Sequence, residues 1–281
     1  MSIDPTGSDM ARLAILPFQV LQAHGLPNAY ERSFKMTNGR LLANRYLLGV
    51  PGERPSRATA ASIARALGMP ESLREPFLDE LEDADGILLG FEAGTEAATL
   101  KLYLEYRPAD DQPASGPASV LMHSTGVSTE ASTEGRLLHK GFKWCVGSDV
   151  QARVTLYRER EITKAQDVVR HFAHLGLHPA TLDVLRAALL QNSHQYPVSG
   201  LRLSEVSDNT TPRLGLDLNV YAAGLSVASI EPALRGAAQD LNIEMAAFDR
   251  LMQLARPALL GHLAAGLDAD GRDYLSVYFE P

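Results

Sequence analysis

The chain of 281 residues is 45% hydrophobic and 21% charged, a balance typical of a globular protein with enough chain for a sizeable core. Its 26 Lys and Arg residues stand against 34 Asp and Glu residues, and no segment collects the basic residues that bind a nucleic-acid backbone, so we expect no nucleic-acid partner. The apolar runs are shorter than the ~20 residues that cross a bilayer, and the N-terminus lacks signal-peptide features. We therefore expect a cytoplasmic protein without a membrane partner.

Hydrophobic periodicity predicts a repeating order of helix pairs and strand pairs. Thr-Asn-Gly at 37–39 and Asp270-Gly271 mark two tight turns between strands. In chain order the predicted elements are a helix at 8–24, strands over 28–50, helices at 57–68 and 70–84, strands over 85–107, a loop at 108–134, strands over 136–160, helices at 163–175 and 179–192, strands at 199–207 and 212–221, helices at 229–243 and 244–260, and a hairpin over 261–279.

Ten strands in sequential pairs predict an α+β fold, with one domain over 1–281 in which an antiparallel β-barrel is ringed by helices. The strand at 99–106 alternates, with three leucines on one face and Lys101, Tyr103 and Glu105 on the other. If helices cover the apolar faces, the polar faces point into the barrel. An open sheet with helices on one face and water on the other gives the same alternation, and periodicity alone does not separate the two.

Three segments resemble, in order and at similar spacing, the cyanobactin peptide prenyltransferases of the ABBA family. They are YERSFKMTNGRLLANRYLLG at 30–49, ADGILLGFEAGTEAATLKLYLEY at 84–106 and HLAAGLDADGRDYLSVYFE at 262–280. The resemblance implies a ten-stranded barrel of α-β-β-α units, the ABBA or PT barrel. It also implies transfer of a dimethylallyl or geranyl group from its diphosphate, DMAPP or GPP, to a nucleophilic side chain of a ribosomally made peptide, with Mg2+ assisting departure of the diphosphate.

This chemistry needs cations beside the leaving diphosphate and π faces or carboxylates beside the allylic carbocation, in a site that excludes water. The resemblance implies that Arg45 and Lys101 bind the diphosphate and that Tyr157 hydrogen-bonds it. Lys143 is a further candidate ligand, with Lys140 as its competitor because the register of their strand is open. We predict no metal ligands among the side chains.

For the acceptor, the resemblance implies that Glu31 orients the nucleophile and removes its proton, and that Tyr278 shields the cation. Tyr103 and Tyr221 are further inward aromatic residues without an assigned role. Each residue also has an ordinary structural explanation: a local ion pair with Arg32 or Lys35 is the alternative for Glu31, and strand propensity alone accounts for tyrosines.

Acidic and small residues on the inward faces predict a roomy, acidic interior, which favours a cationic acceptor such as Arg or His, or a longer isoprenoid. These residues are Glu105, Gly215, Asp217 and Asn219. Two alternatives to a peptide prenyltransferase stay open: an ABBA enzyme acting on a small aromatic metabolite, and a catalytically silent barrel that binds a ligand. The protein is expected to be a monomer.

Overall fold

The computed structural model describes residues 7–52, 54–94, 97–107, 135–146, 148–193, 201–210, 214–268 and 270–281. The helices are α1 (Gly7–Ala23), α2 (Arg57–Ala66), α3 (Glu71–Glu80), α4 (Ala165–His174), α5 (Pro179–Ser193), α6 (Glu231–Asp240) and α7 (Met245–Ala255). The strands are β1 (Ala29–Thr37), β2 (Arg40–Gly49), β3 (Gly86–Ala93), β4 (Ala98–Glu105), β5 (Leu137–Cys145), β6 (Ser148–Arg160), β7 (Arg202–Asp208), β8 (Leu214–Asn219), β9 (Leu259–Leu267) and β10 (Asp273–Glu280).

The ten strands form a closed antiparallel barrel in the order β1, β10, β9, β8, β7, β6, β5, β4, β3, β2. The predicted α+β barrel is confirmed, and the open-sheet alternative is wrong. The loop predicted at 108–134 lies outside the described residues. No helix within the described ranges is long and apolar enough to span a membrane.

Local signals in the sequence account for several element ends. Gly39 in the turn between β1 and β2 has φ 73°, a left-handed conformation that glycine adopts without strain. Ser56 caps α2 by accepting a hydrogen bond from the Thr59 backbone N–H at 3.2 Å. At the start of α4, Asp167 accepts hydrogen bonds from the backbone N–H groups of Thr163 and Lys164.

The helices predicted at 229–243 and 244–260 are shorter in the structure. The first ends at Asp240 and is followed by Asn242 with φ 55°, which breaks the helical path. The second ends at Ala255, just before Pro257, whose missing N–H cannot continue the helical hydrogen bonds. Residues 259 and 260, predicted as the end of that helix, begin β9 instead.

The chain divides into two compact units, and the expectation of one domain over 1–281 stays a prediction. The first unit comprises Met1–Tyr30, Asn44–Glu130 and Leu137–Leu156, and the second Glu31–Ala43, Ala131–Arg136 and Tyr157–Pro281. In the first, the three leucines of β4 are fully buried in one apolar core with α2 and α3. The opposite face of β4, which carries Lys101 and Tyr103, is therefore the inward face.

The second unit has its own apolar core, in which β1 and β7–β10 pack against helices α4–α7. Phe34 and Met36 of β1 lie in this core, as do Val277 and Phe279 of β10. Because side chains alternate along a strand, Glu31 and Tyr278 are on the opposite face. Because the apolar strand faces pack against helices, the polar residues of both units lie on the opposite strand faces.

Candidate active site

Three buried cations lie on the inward faces of strands in the first unit. Arg45 on β2, Lys101 on β4 and Lys143 on β5 are 6%, 8% and 3% exposed. Lys101 is directly opposite Lys143 in the ladder between β4 and β5. The Glu92 carboxylate of β3 lies 2.6 Å from Lys101 Nζ and 3.2 Å from Arg45 Nε. Arg45 and Lys101 therefore meet at Glu92, with Lys143 on the neighbouring strand, and we call these three of the four predicted diphosphate ligands the cation cluster.

The register of β5 places Lys143 and Lys140 on opposite faces of the strand, and the role of Lys143 as a diphosphate ligand stays a prediction. Lys140 pairs with Glu80 of α3, on the helix-covered side, whereas Lys143 shares the face of Lys101. Lys143 Nζ lies 6.0 Å from the centroid of the Tyr103 ring, a cation–π distance. A Cβ at Gly141 would lie 2.6 Å from Tyr103 Cε1, so glycine at this position leaves room for the ring.

The cation cluster carries a net positive charge in a buried environment, with three cations beside the single carboxylate of Glu92. Burial lowers the pKa of Lys101 to about 8, the nearby Glu92 charge opposes this shift, and the like charges of Arg45 and Arg153 add to it. Burial and neighbouring positive charges destabilise the charged form of such a side chain. A bound anion offsets this destabilisation, which favours anion binding. The arrangement suits a polyanionic ligand.

Glu31 lies in the second unit, is only 1% exposed and accepts a hydrogen bond of 2.7 Å from the Tyr221 hydroxyl. Burial raises the pKa of Glu31 to about 7, while the His262 charge and the Tyr221 hydrogen bond oppose that rise. Lys35 is one of the two residues considered as a local ion-pair partner of Glu31. Its Nζ lies 4.5 Å from the centroid of the Tyr274 ring, a cation–π distance. A carboxyl group that titrates near neutral pH can act as a proton acceptor.

His262 on β9 is a cationic residue beside Glu31 and Tyr221 in the second unit. Its Nδ1 lies 2.8 Å from Asp217 Oδ1, and its ring meets those of Tyr221 and Tyr278 edge-on at centroid distances of 5.4 and 5.9 Å. Burial alone would lower the pKa of His262, but the charges of Asp217, Glu31 and Glu280 raise it to about 9. The imidazole is therefore charged at neutral pH.

A β-bulge at Gly261 shapes this site. Tyr278 is opposite His262, but the next residue, Phe279, is opposite Leu260, which leaves Gly261 as the extra residue of β9. A Cβ at Gly261 would lie 2.5 Å from Tyr221 Cζ and 2.7 Å from Glu31 Oε1. The hydrogen-bonded pair of Tyr221 and Glu31 therefore depends on glycine at this position.

We expect Gly261→Ala to lower the free energy of unfolding by about 1–3 kcal/mol, because the added methyl group forces the Tyr221 ring and the Glu31 carboxylate to move. Gly236→Ala in α6 is the matched control, since a Cβ there meets nothing within 4 Å. Alanine in a helix is favoured over glycine by about 0.5–1 kcal/mol, so the control should be neutral or stabilising. Urea unfolding measures both, and equal stability of the two variants would contradict the packing described here.

The structure brings most of the predicted residues into two sets, one per unit. Tyr278 contacts the ring of His262, whereas Tyr157 is partly exposed on β6 and its role stays a prediction. Sequence reasoning missed His262 and Glu280. A two-residue turn at Asp270-Gly271 would place His262 opposite Phe279, so its position opposite Tyr278 required the register of the folded hairpin.

Comparison with known proteins finds likeness only among solved structures: no protein-family model and no curated protein sequence matches the chain. 6-Dimethylallyltryptophan synthase from Micromonospora olivasterospora, in complex with DMASPP and Trp, aligns with TM-score 0.57 and 16% identity over 97% of this chain and 96% of that one. 5-Dimethylallyltryptophan synthase from Streptomyces coelicolor gives TM-score 0.52 and 15% identity over 89% and 80%.

NotF, in complex with brevianamide F and DMSPP, gives TM-score 0.51 and 12% identity over 89% of this chain and 79% of that one. At these identities the likeness establishes the fold, which is the ten-stranded ABBA barrel of these prenyltransferases. It does not single out the cyanobactin peptide prenyltransferases among proteins with this barrel.

Proposed function

We propose that the chain transfers an isoprenoid group from its diphosphate to a small aromatic acceptor. The observation that carries the proposal is the cation cluster: Arg45, Lys101 and Lys143 are buried on the inward strand faces of an ABBA barrel. Cleavage of the allylic C–O bond leaves a diphosphate with about three negative charges, which fixed cations in a water-poor site stabilise. We assign the diphosphate to this cluster.

Glu31 has the properties that the acceptor half of the reaction requires. When an aromatic carbon or nitrogen attacks the allylic cation, the new bond forms first and the acceptor then loses a proton. Glu31 is buried, titrates near pH 7 and is held by the Tyr221 hydroxyl. We assign it the role of proton acceptor, and Tyr278 that of shielding the cation with its π face.

Likeness to solved structures favours a small aromatic acceptor over the peptide expected from the sequence. The two synthases are named for tryptophan, and NotF holds brevianamide F. The acidic interior that suggested a cationic acceptor is also neutralised in part, since Glu105 accepts a hydrogen bond from Arg107 at 2.9 Å and Asp217 pairs with His262. The peptide acceptor has no comparable support.

The Mg2+ implied by the sequence resemblance does not fit the cation cluster. Divalent magnesium prefers carboxylate and water oxygens, but the Glu92 carboxylate is already ion-paired with Lys101 and Arg45. Arg45, Lys101 and Lys143 themselves supply the charge that would neutralise a departing diphosphate. We therefore assign this task to the side chains and route no step through a metal.

A transfer assay tests the proposal. The protein is incubated with DMAPP or GPP and with either tryptophan, a tryptophan-containing cyclic dipeptide or a larger macrocyclic peptide, and products are detected by their mass increase. Prenylation of the small acceptors supports the proposal, and prenylation of the macrocycle alone would restore the peptide assignment. Failure to bind a non-hydrolysable donor analogue would leave the silent barrel as the better account.

Donor binding should weaken as the pH rises above about 8. Lys101 carries its charge below its pKa of about 8 and loses it above that value, so the cluster has less positive charge for the diphosphate at high pH. Titration calorimetry with a thiolo-diphosphate analogue between pH 6.5 and 9.5 measures this dependence. Lys101→Arg, whose guanidinium stays charged, should bind without the high-pH loss, and an unchanged decline in that variant would assign it to another group.

A further inference from the structure

One carboxylate oxygen lies against two of the three cations to which the donor diphosphate is assigned. Glu92 on β3 is directly opposite Arg45 in the ladder between β2 and β3. Its Oε2 atom lies 3.2 Å from Arg45 Nε, and the same atom lies 2.6 Å from Lys101 Nζ. A single oxygen of Glu92 therefore bridges both cations.

Glycine at position 90 makes this contact possible. Gly90 is opposite Lys101 in the ladder between β3 and β4, and it precedes Glu92 by two residues, so all three are on one face of the sheet. A Cβ at Gly90 would lie 3.2 Å from Lys101 Cβ and 3.3 Å from its Cδ. The stem of Lys101 thus passes over the glycine and brings the ammonium to Glu92.

The Glu92 carboxylate and a diphosphate compete for these two cations. Hydrogen bonds from ammonium and guanidinium groups to carboxylate and to phosphate oxygens have the same length, about 2.7–2.9 Å. A phosphate oxygen that bridged Arg45 and Lys101 would need the position of Glu92 Oε2. Binding beside that oxygen would instead place like charges together in a buried site, which is unfavourable.

Glu92 has better access to water than the cations that it contacts. Its side chain is 21% exposed, against 6% for Arg45 and 10% for Lys101, and it is the next-to-last residue of β3. The carboxylate can therefore be hydrated when another anion displaces it. The two cations stay buried in place and exchange one anion for another.

We propose that Glu92 is an exchangeable counter-ion of the diphosphate site, displaced when the donor binds and restored when the diphosphate product leaves. This inference rests on the proposed function, in which the cation cluster binds the donor. The exchange weakens donor binding, because the ion pairs of Glu92 must first be broken. It also speeds product release, because a tethered carboxylate at high effective concentration replaces the leaving diphosphate.

A second effect of Glu92 has to be separated from the exchange. Burial lowers the pKa of Lys101 to about 8, and the Glu92 charge opposes that shift. Removing the Glu92 charge alone would therefore lower this pKa further and reduce the charge on Lys101 near neutral pH. A Lys101→Arg background avoids this effect, since a guanidinium stays charged over the whole working range.

Binding of inorganic diphosphate tests the exchange without an acceptor or turnover. Titration calorimetry in metal-free buffer at pH 7 compares Lys101→Arg with Lys101→Arg/Glu92→Gln. The double variant should bind on the order of 10-fold more tightly, because the ligand no longer displaces a charged partner. It should also release the ligand more slowly, which phosphorus NMR line shapes measure. Glu80→Gln in the same background is the matched control, since Glu80 pairs with Lys140 on the helix-covered side, and it should leave binding unchanged.

Weaker or unchanged binding in the Glu92→Gln double variant would show that Glu92 only positions the cations and would overturn the exchange. An equal gain in the Glu80→Gln control would assign the effect to overall charge, with the same consequence. Thermal unfolding in this background gives a second measurement. Glu92→Gln leaves buried charges without their counter-ion, so it should lower the melting temperature, and inorganic diphosphate should raise that temperature by more than in Lys101→Arg alone.

Equal shifts of the melting temperature by inorganic diphosphate, with and without Glu92→Gln, would also overturn the exchange. A different result would bear on the diphosphate site itself. If neither the wild-type protein nor any variant binds inorganic diphosphate or the thiolo-diphosphate analogue, the assignment of the diphosphate to the cation cluster is wrong, and the proposed function is overturned together with the exchange.

Discussion

Replacing Lys101 with alanine should weaken binding of a dimethylallyl thiolo-diphosphate analogue by about 10- to 150-fold. A hydrogen bond to a charged group contributes about 1.5–3 kcal/mol, and the buried ammonium is directly opposite Lys143 in the ladder. Removing it also leaves the Glu92 carboxylate ion-paired with Arg45, which reduces the positive charge available to the ligand. Titration calorimetry at pH 7 measures the change.

Lys140→Ala is the matched control for this variant. Lys140 is on the same strand as Lys143, but its ammonium pairs with Glu80 on the helix-covered side. It should therefore bind the analogue with wild-type affinity. Equal losses in Lys101→Ala and Lys140→Ala would indicate a general electrostatic effect and contradict a diphosphate site at the cation cluster, as would wild-type affinity in Lys101→Ala.

Strand pairs and their inward faces were predictable because their signals are local. Asn38 and Gly39 specify the tight turn between β1 and β2, and alternation along β4 separates Lys101 from the leucines. The closed barrel was not predictable from these signals, since an open sheet has the same alternation. The sequential pairing of the predicted strands, together with the family resemblance, favoured a closed barrel over an open sheet.

Strand β9 shows where periodicity is uninformative. Its sequence, LLGHLAAGL, is buried along most of its length and lacks polar alternation, so its first residues have the same pattern as a helix. The bulge at Gly261 then shifts the pairing by one residue. Period and propensity do not specify such a shift, because it depends on how β9 packs against Tyr221.

The two sets of site residues differ in predictability for the same reason. The inward orientation of Arg45 and Lys101 could be inferred from alternation along their strands, whereas that of Lys143 required the register of β5. His262 acts through partners distant in sequence, and its contacts with Tyr221 and Tyr278 require the register of β9 and β10 together. Long-range pairing of this kind becomes visible only in the folded chain.

Glu31→Gln should lower the rate of prenyl transfer by about 10²- to 10⁴-fold, the usual contribution of a positioned acid or base, while donor binding stays at the wild-type level. In the wild-type protein the carboxylate is present above its pKa of about 7, so kcat/KM should rise as the pH increases through 7. It should fall again above about 8 as Lys101 loses its charge. The glutamine variant has no titrating group at this position, and its residual activity should lack the rising limb.

Loss of activity in this variant should not reflect unfolding. Burial disfavours the charged form of Glu31, and a glutamine oxygen can still accept the Tyr221 hydrogen bond, so the neutral side chain suits the site. Glu205→Gln is the matched control: Glu205 pairs with Arg160 at 3.0 Å, and its substitution should leave transfer unchanged. Wild-type transfer in Glu31→Gln, or a retained rise through pH 7, would place the proton acceptor elsewhere, because a neutral amide cannot take up the proton that the acceptor loses.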